Sequence, residues 1–214
     1  MSHFIGLCFG DCWESNLDPY DEGLEVEPYV AYTKEEAIDE VKRRHASDYE
    51  WAINALKNES TTEQQRQRAE SKIEKGLFIS YEDAWKEVQK WGYQLDEDEN
   101  LLSTYNPDSR WDWYSIGGRW HSYLYLKEVD DNGERIKVDQ ANFGEIDWDY
   151  MINSGTIPFC FVTEDGDWVE KGEMGWWGCV SNETPNESWK ETFKRYINSI
   201  EDNDCLVTAI DFHI

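Results

Sequence analysis

Residues 205–214 read C-L-V-T-A-I-D-F-H-I. The first six form an apolar, β-branched run of strand length, and no turn former interrupts its continuation through Asp211, Phe212, His213 and Ile214. A buried strand is expected there. Residues 4–9, F-I-G-L-C-F, make a matching run that Gly10 and Asp11 stop. Two apolar strands at opposite ends of one sequence are expected to pair in the middle of one sheet, since neither has a polar face to give to solvent. With helical signals segregated between them, the pattern predicts an α+β fold: a single domain over residues 1–214, with a mixed or antiparallel sheet containing both terminal strands.

The helices announce themselves by their caps. Thr33 with Glu36 forms a capping box, predicting a helix to about Asn58 with Ile38, Val41, His45, Tyr49, Ala52 and Leu56 on one stripe. Thr62 with Gln65 opens a polar helix that stops at Gly76, and Ser80 caps a third that carries Trp85, Val88 and Trp91 to Gly92. Together they predict a helical insert over residues 33–92, its middle helix on the surface. Another helix is expected over about 185–200, where Thr184, Pro185 and Glu187 read as a capping box with Pro at the first helical position. Residues 10–32 read as a long acidic loop and residues 121–139 as a hairpin turning at Asp131-Asn132-Gly133. A short helix is expected at 147–153 and a buried strand at 157–163.

Twelve Trp, twelve Tyr and eight Phe set the chain apart from disordered acidic sequences, which are poor in rings. The net charge of −26 argues against direct nucleic-acid binding and against an anionic membrane surface, because phosphate would be repelled. It fits a partner with a basic surface. The acidity is uneven: residues 1–32 hold seven carboxylates and no Lys or Arg, whereas residues 33–80 hold ten acids against nine bases. Asp18, Asp21, Glu22, Glu25 and Glu27 in the first loop, with Asp96, Glu97, Asp98 and Glu99 further on, are the candidate partner-binding surface. No stretch approaches the ~18 apolar residues of a membrane span, and the short apolar run at the start is too brief for a signal sequence. Five cysteines, an odd number, then predict reduced thiols and a cytoplasmic setting.

Chemistry concentrates in residues 105–120, Y-N-P-D-S-R-W-D-W-Y-S-I-G-G-R-W, with five aromatics, two Asp and two Arg in sixteen residues. If the run is a strand, Trp111, Trp113 and Ser115 alternate against Asp112, Tyr114 and Ile116. Read as a pocket, Tyr105, Trp111, Trp113 and Tyr114 wall a planar ligand and Gly117-Gly118 let backbone approach closely. Arg119 meets an anion there, and Asp112 takes a donor or acts as a base. Residues 172–178, G-E-M-G-W-W-G, offer a second wall in Trp176 and Trp177 and a second carboxylate in Glu173; His213, two residues after Asp211, is a candidate base. The competing reading is a filled corner in which an Asp–Arg ion pair among tryptophans fixes a turn. Neither patch has phosphate-loop spacing, and no cofactor is predicted. Cys8 and Cys12 make one loose pair where zinc sites show two tight ones, and His3, His121 and His213 lack ligand spacing, so no metal is expected.

Five segments carry a resemblance: M-S-H-F-I-G-L (1–7), L-D-P-Y-D-E-G-L-E-V-E-P-Y (17–29), the 105–120 stretch, W-V-E-K-G-E-M-G-W-W-G (168–178) and I-D-F-H-I (210–214). Through them the chain resembles a family of uncharacterised phage- and prophage-encoded proteins marked by W-D-W-Y-x-I-G-G-R-W and a C-terminal D-x-H-I. The resemblance implies a phage setting, and it groups residues 17–29 and the last five with the central patch. Two functions are then expected. One is an acidic accessory protein in the host cytosol that binds and inhibits a host protein with a basic surface, such as a nucleic-acid-handling defence factor, its carboxylates imitating DNA. The alternative is a small-ligand, nucleotide-like binding protein or enzyme built on the Trp/Gly/Arg patches. The sequence leaves the partner, the oligomeric state and the presence of catalysis open.

Overall fold

The computed structural model describes residues 2–214, Trp176 through its backbone alone. The chain divides into two compact units, one formed by residues up to 25 with 105–214, the other by residues 26–104. In chain order the first unit begins with β1 (His3–Phe9) and α1 (Trp13–Leu17). The second unit holds β2 (Tyr29–Tyr32), α2 (Lys34–Lys57), α3 (Glu63–Glu74), α4 (Tyr81–Gln89), β3 (Gln94–Leu95) and β4 (Leu101–Ser103). The first unit resumes with β5 (Trp113–Ile116), the hairpin β6 (Leu124–Val129) and β7 (Arg135–Val138), β8 (Gln140–Asn142) and α5 (Trp148–Ser154). It closes with β9 (Cys160–Val162), β10 (Trp168–Glu170), β11 (Glu173–Met174), β12 (Val180–Ser181), α6 (Asn186–Ile197) and β13 (Leu206–His213).

The terminal strands pair in the centre of a mixed sheet of order β10-β9-β1-β13-β5, as their apolar runs require. β1 and β13 are antiparallel over seven residue pairs, from His3↔His213 to Phe9↔Val207, and every residue between the ends of both strands is buried. β9 lies parallel on the far side of β1, while β5 and β8 share the outer edge of β13. Ile5, Leu7, Phe9, Val207 and Ala209 face a core completed by α5 and α6, through Trp148, Met151, Trp189 and Phe193. The opposite face holds Phe4, Cys8, Ile210 and Phe212 against Trp13, Leu17 and Trp111.

Several local expectations change. The presumed loop at 10–32 contains α1 and a 3-10 turn (Asp18–Tyr20), because Trp13 and Leu17, four residues apart, bury on one stripe. The capping box expected for α6 does not form. Pro185 occupies the N-cap and supplies no side-chain oxygen, while the Thr184 N–H donates to Lys171 O. The boxes at Thr33 and Thr62 do form.

The helical insert forms where expected, with α2, α3 and α4 inside residues 33–92. β2, β4 and β3 make a three-stranded sheet of their own with α2, α3 and α4, so the compact unit spans 26–104. Its core is Ala37, Ile38, Val41, Ala84, Val88 and Leu101. α3 buries only Ala69, consistent with a polar surface helix.

Candidate functional site

The antiparallel register puts His3 beside His213, and His213 beside Trp113 on β5. Strand alternation directs Asp211 and His213 to the same face as Ala209, and His3 to the face of Ile5. At this end of the sheet the apolar core gives way to ionisable groups. His3 Nδ1 bonds Asp211 Oδ1 at 2.8 Å, and His213 Nδ1 bonds Asp112 Oδ1 at 2.5 Å. A third pair stands beyond the glycine turn, His121 Nδ1 with Asp139 Oδ2 at 2.6 Å. Three of the four histidines in the chain therefore meet an aspartate through the same ring nitrogen.

A carboxylate can only accept, so each Nδ1 carries the proton and each neutral ring keeps its lone pair on Nε2. The His3 and His213 rings meet edge to face with centroids 4.8 Å apart, and the Trp113 ring stands 6.3 Å from each. Asp211 is 2% exposed, whereas the His3 and His213 side chains are 12% and 14% exposed. Among the described residues, the sole fully buried side-chain nitrogen or oxygen without a hydrogen bond is Arg110 Nε. The outer nitrogens of His3 and His213 and the hydroxyl of Ser115, which bond no described residue, thus reach solvent.

Gly117 and Gly118 build the wall of this site. Both have positive φ, +68° and +50°, closing the 3-10 turn Gly118–Trp120 against β13. A Cβ on Gly118 would sit 2.4 Å from Asp211 Cβ and 2.6 Å from Ser115 Oγ; one on Gly117 would sit 2.6 Å from the Asp139 carboxylate. Two glycines let the chain pass between two carboxylates. Each carboxylate then fastens the turn through its free oxygen: Asp211 Oδ2 accepts the Arg119 N–H at 2.9 Å, and Asp139 Oδ1 accepts the Ser122 N–H.

The residues expected to line one pocket divide between the two faces of the sheet. Asp112, Trp113, Gly117, Gly118 and His213 meet at the histidine site, and Arg119 touches it through its backbone N–H. Trp111 is instead core, 8% exposed, its indole N–H bonded to Leu17 O, and Tyr114 packs edge-on against it. The expected alternation fails at this point because the N–H groups of Arg110 and Trp111 point to Tyr20 O, so the strand starts only at Trp113. Tyr105 is half exposed and joined to Glu22 and Ser109. Glu173 lies on β11, held by Ser181 and Asn182, and Trp177 is 81% exposed; the Trp176 side chain lies outside the described residues.

No Asp112–Arg119 ion pair forms: Asp112 bonds His213, and the Arg119 side chain is exposed. His213 lies half-buried on the central strand. His3, Asp211 and Ser115 belong to the site but were not among its expected members. Pairing the two terminal strands end to end would have found the first two.

Residues 17–25 pack on the central patch from the other side. Asn106, 2% exposed, donates to Pro19 O and Asp21 O, and Glu22 N–H donates to Trp111 O. There an open cleft of about 330 Å³ is lined by Phe4, Pro107, Arg110, Glu170, Glu173 and Met174, among others. Arg110 Nε stands 3.5 Å from Glu170 Oε1, an ion contact without hydrogen-bond geometry. Burial holds the Glu170 carboxyl above its ordinary value, against the Trp168 indole N–H and Arg110. A raised value in the folded state favours the protonated form. Its contribution is fully present below the ordinary 4.5 and is lost as pH rises through the folded value. Glu170→Gln is therefore expected to raise unfolding stability at pH 7 and leave it nearly unchanged at pH 4. Urea unfolding at the two pH values checks this, and an equal effect at both would assign it to packing.

The acidic candidates fall in both units. Asp18, Asp21, Glu22 and Glu25 belong to the first; Glu27, Asp96, Glu97, Asp98 and Glu99 belong to the second. Some have local work: Asp21 accepts Gly23 N–H, Asp96 accepts Asp98 N–H and Asn100 N–H, and Glu99 pairs with Lys34. All five cysteines are free thiols, Cys8, Cys160 and Cys205 buried, and burial pushes Cys205 up to about 12. Among the described residues no group of three or more His, Cys, Asp or Glu is placed to hold a metal, and no helix is long and apolar enough to cross a membrane. No family model, curated protein or solved structure matches the chain.

Proposed function

We propose that the chain is a small-ligand enzyme whose chemistry is proton transfer by His3 and His213, acting on a planar, nucleotide-like ligand. The observation that carries this is the paired Asp–His arrangement: two imidazoles, each oriented through Nδ1 by its own carboxylate, with outer nitrogens open and rings 4.8 Å apart. Asp211 and Asp112 fix the tautomer and stabilise the imidazolium that forms when a ring accepts a proton. One ring acts as base and its neighbour as acid, a division two adjacent imidazoles make without a metal ion. Trp113, 53% exposed, supplies a face for the ligand's ring system. Arg119, on the glycine turn, supplies a cation for an anionic substituent.

The test is turnover of a panel of nucleosides, nucleotides and dinucleotides, followed by mass spectrometry, with His3→Gln and His213→Gln alongside. Turnover that persists in both variants would sink the proposal.

A second reading rests on charge. At −26, with a phage setting implied by the sequence motifs, the protein suits an inhibitor of a basic host protein, including one that handles nucleic acid. Affinity for such a partner is expected to fall at least tenfold between 50 and 500 mM salt, roughly what loss of 1.4 kcal/mol of screened attraction gives. Binding by calorimetry that ignores salt would remove the charge argument.

A further inference from the structure

One cleft in the helical unit is lined mainly by basic side chains. Of 20 Lys and Arg, nine lie in residues 33–80. Three of them, Arg68, Lys72 and Lys75, line a cleft of about 350 Å³ with His45, Asp48 and Ser71, between α2 and α3. Asp48 is the one carboxylate in that lining, and Lys72 already pairs with it. Arg68 has no carboxylate partner among the described residues; its guanidinium lies 5.7 Å from the centre of the Trp51 ring. Glu87, the carboxylate that senses Lys75, is bonded to Lys90 at 2.7 Å. His45 spends Nε2 on Gly76 O. With His45 neutral, three cations against one anion leave the lining at +2 in a chain of net −26.

A second cleft of about 490 Å³ shares His45, Asp48 and Lys75 with the first, so the two are continuous. It adds an apolar wall in Phe78, Ile79 and Trp91, with Arg44 and two carboxylates beside it, Asp83 paired with Lys86 and Glu87 with Lys90. Phe78 is 87% exposed, although its ring would be expected inside. A basic end joined to an aromatic end is the complement of a small molecule with a charged head and a flat body.

We propose that the helical unit binds a small phosphorylated ligand of the nucleoside monophosphate class, its phosphate held by Arg68, Lys72 and Lys75 and its base resting against Phe78 and Trp91. Guanidinium presents a fork of donors to phosphate oxygens, and the two ammonium groups add point charge. A polyanion is excluded, because the acidity of the whole chain would oppose it along its length. A single phosphate feels mainly the cleft, since screening confines distant charge to roughly 8–10 Å at physiological salt.

Calorimetry on the full chain tests this with adenosine 5′-monophosphate, inorganic phosphate and adenosine as separate probes. The monophosphate is expected to bind at least tenfold more tightly than either fragment, and more weakly as salt rises. Arg68→Glu with Lys75→Glu is expected to abolish binding, and Phe78→Ser to reduce the monophosphate to the level of phosphate. If the charge reversal disturbs helicity by circular dichroism, Arg68→Gln with Lys75→Gln replaces it, with at least a tenfold loss expected. Amide chemical-shift mapping separates this site from the proposed enzyme site: the monophosphate is expected to shift residues 45–48, 68–78 and 91, and not residues 3, 113–119 and 211–213. No heat with either phosphate probe at millimolar concentration would overturn the proposal. So would equal affinity for adenosine, full binding in the charge variants, or shifts confined to the histidine site.

Discussion

Gly118→Ala is expected to lower stability by about 2–5 kcal/mol and to disable the histidine site together with the fold around it. Two costs add. At φ +50° an alanine pays about 1–2 kcal/mol of left-handed strain. Its Cβ would also sit 2.4 Å from Asp211 Cβ, and overpacking of that kind costs about 1–3 kcal/mol. Asp211 Cβ cannot step aside as a flexible side-chain tip would, because it is fixed to a central strand paired on both edges. The turn has to lift instead. Lifting it draws the Arg119 N–H away from Asp211 Oδ2 and leaves a buried carboxylate short of a donor.

For a chain of this size the melting temperature should fall by roughly 5–20 °C. Gly133→Ala is the control. Gly133 has φ +82° but no atom within 4 Å of an added Cβ, so it carries the strain without the collision. It should cost about 1–2 kcal/mol. Equal losses at the two positions would show that the close approach to Asp211 is unimportant.

How far the sequence discloses this site depends on whether the signal is local. Caps at Thr33, Thr62 and Ser80 are local and placed three helices correctly. The two terminal strands are also legible, since nothing but a central position suits F-I-G-L-C-F and C-L-V-T-A-I. The site itself is not local. His3 and Asp211 are 208 residues apart, and they meet only because β1 and β13 align end to end. The clustered motif at 105–120 contributes Asp112, Trp113, Gly117 and Gly118 to the histidine cluster, whereas Trp111 turns to the opposite core. Which face a side chain takes depends on where the strand begins, and that is set by Tyr20, far away in sequence. His121 and Asp139 pair across the β6–β7 hairpin, whose turn was legible although their partnership was not. The short α1 and the strands β3 and β4 beside the insert helices were missed for the opposite reason. Their apolar residues are few, and Gly, Pro and acidic residues dominate the surrounding text.

The same geometry that makes Gly118 sensitive makes the two histidines separable from the fold. Their side chains sit at the edge of the apolar core and keep partial exposure, so glutamine can replace either ring without opening a cavity in the interior. Each single change, His3→Gln or His213→Gln, is expected to reduce turnover by about 10²–10⁴-fold, the range for a positioned acid or base. The melting temperature should move by only a few degrees, about the effect of losing one part-buried hydrogen bond.

If the two rings act as a pair, the double variant should lose little more than the worse single variant, because removing either member already breaks the proton path. Independent contributions would multiply instead. Asp211→Asn adds a further distinction: it preserves shape but removes the charge that stabilises an imidazolium at His3. Turnover should then fall while the site still binds its ligand, lowering kcat more than it changes KM. A network that merely fixes the end of the sheet would behave in the reverse way. The glutamine variants would melt early, and whatever remained folded would turn over normally. Melting curves and turnover on the same four variants therefore decide between a catalytic pair and a structural one.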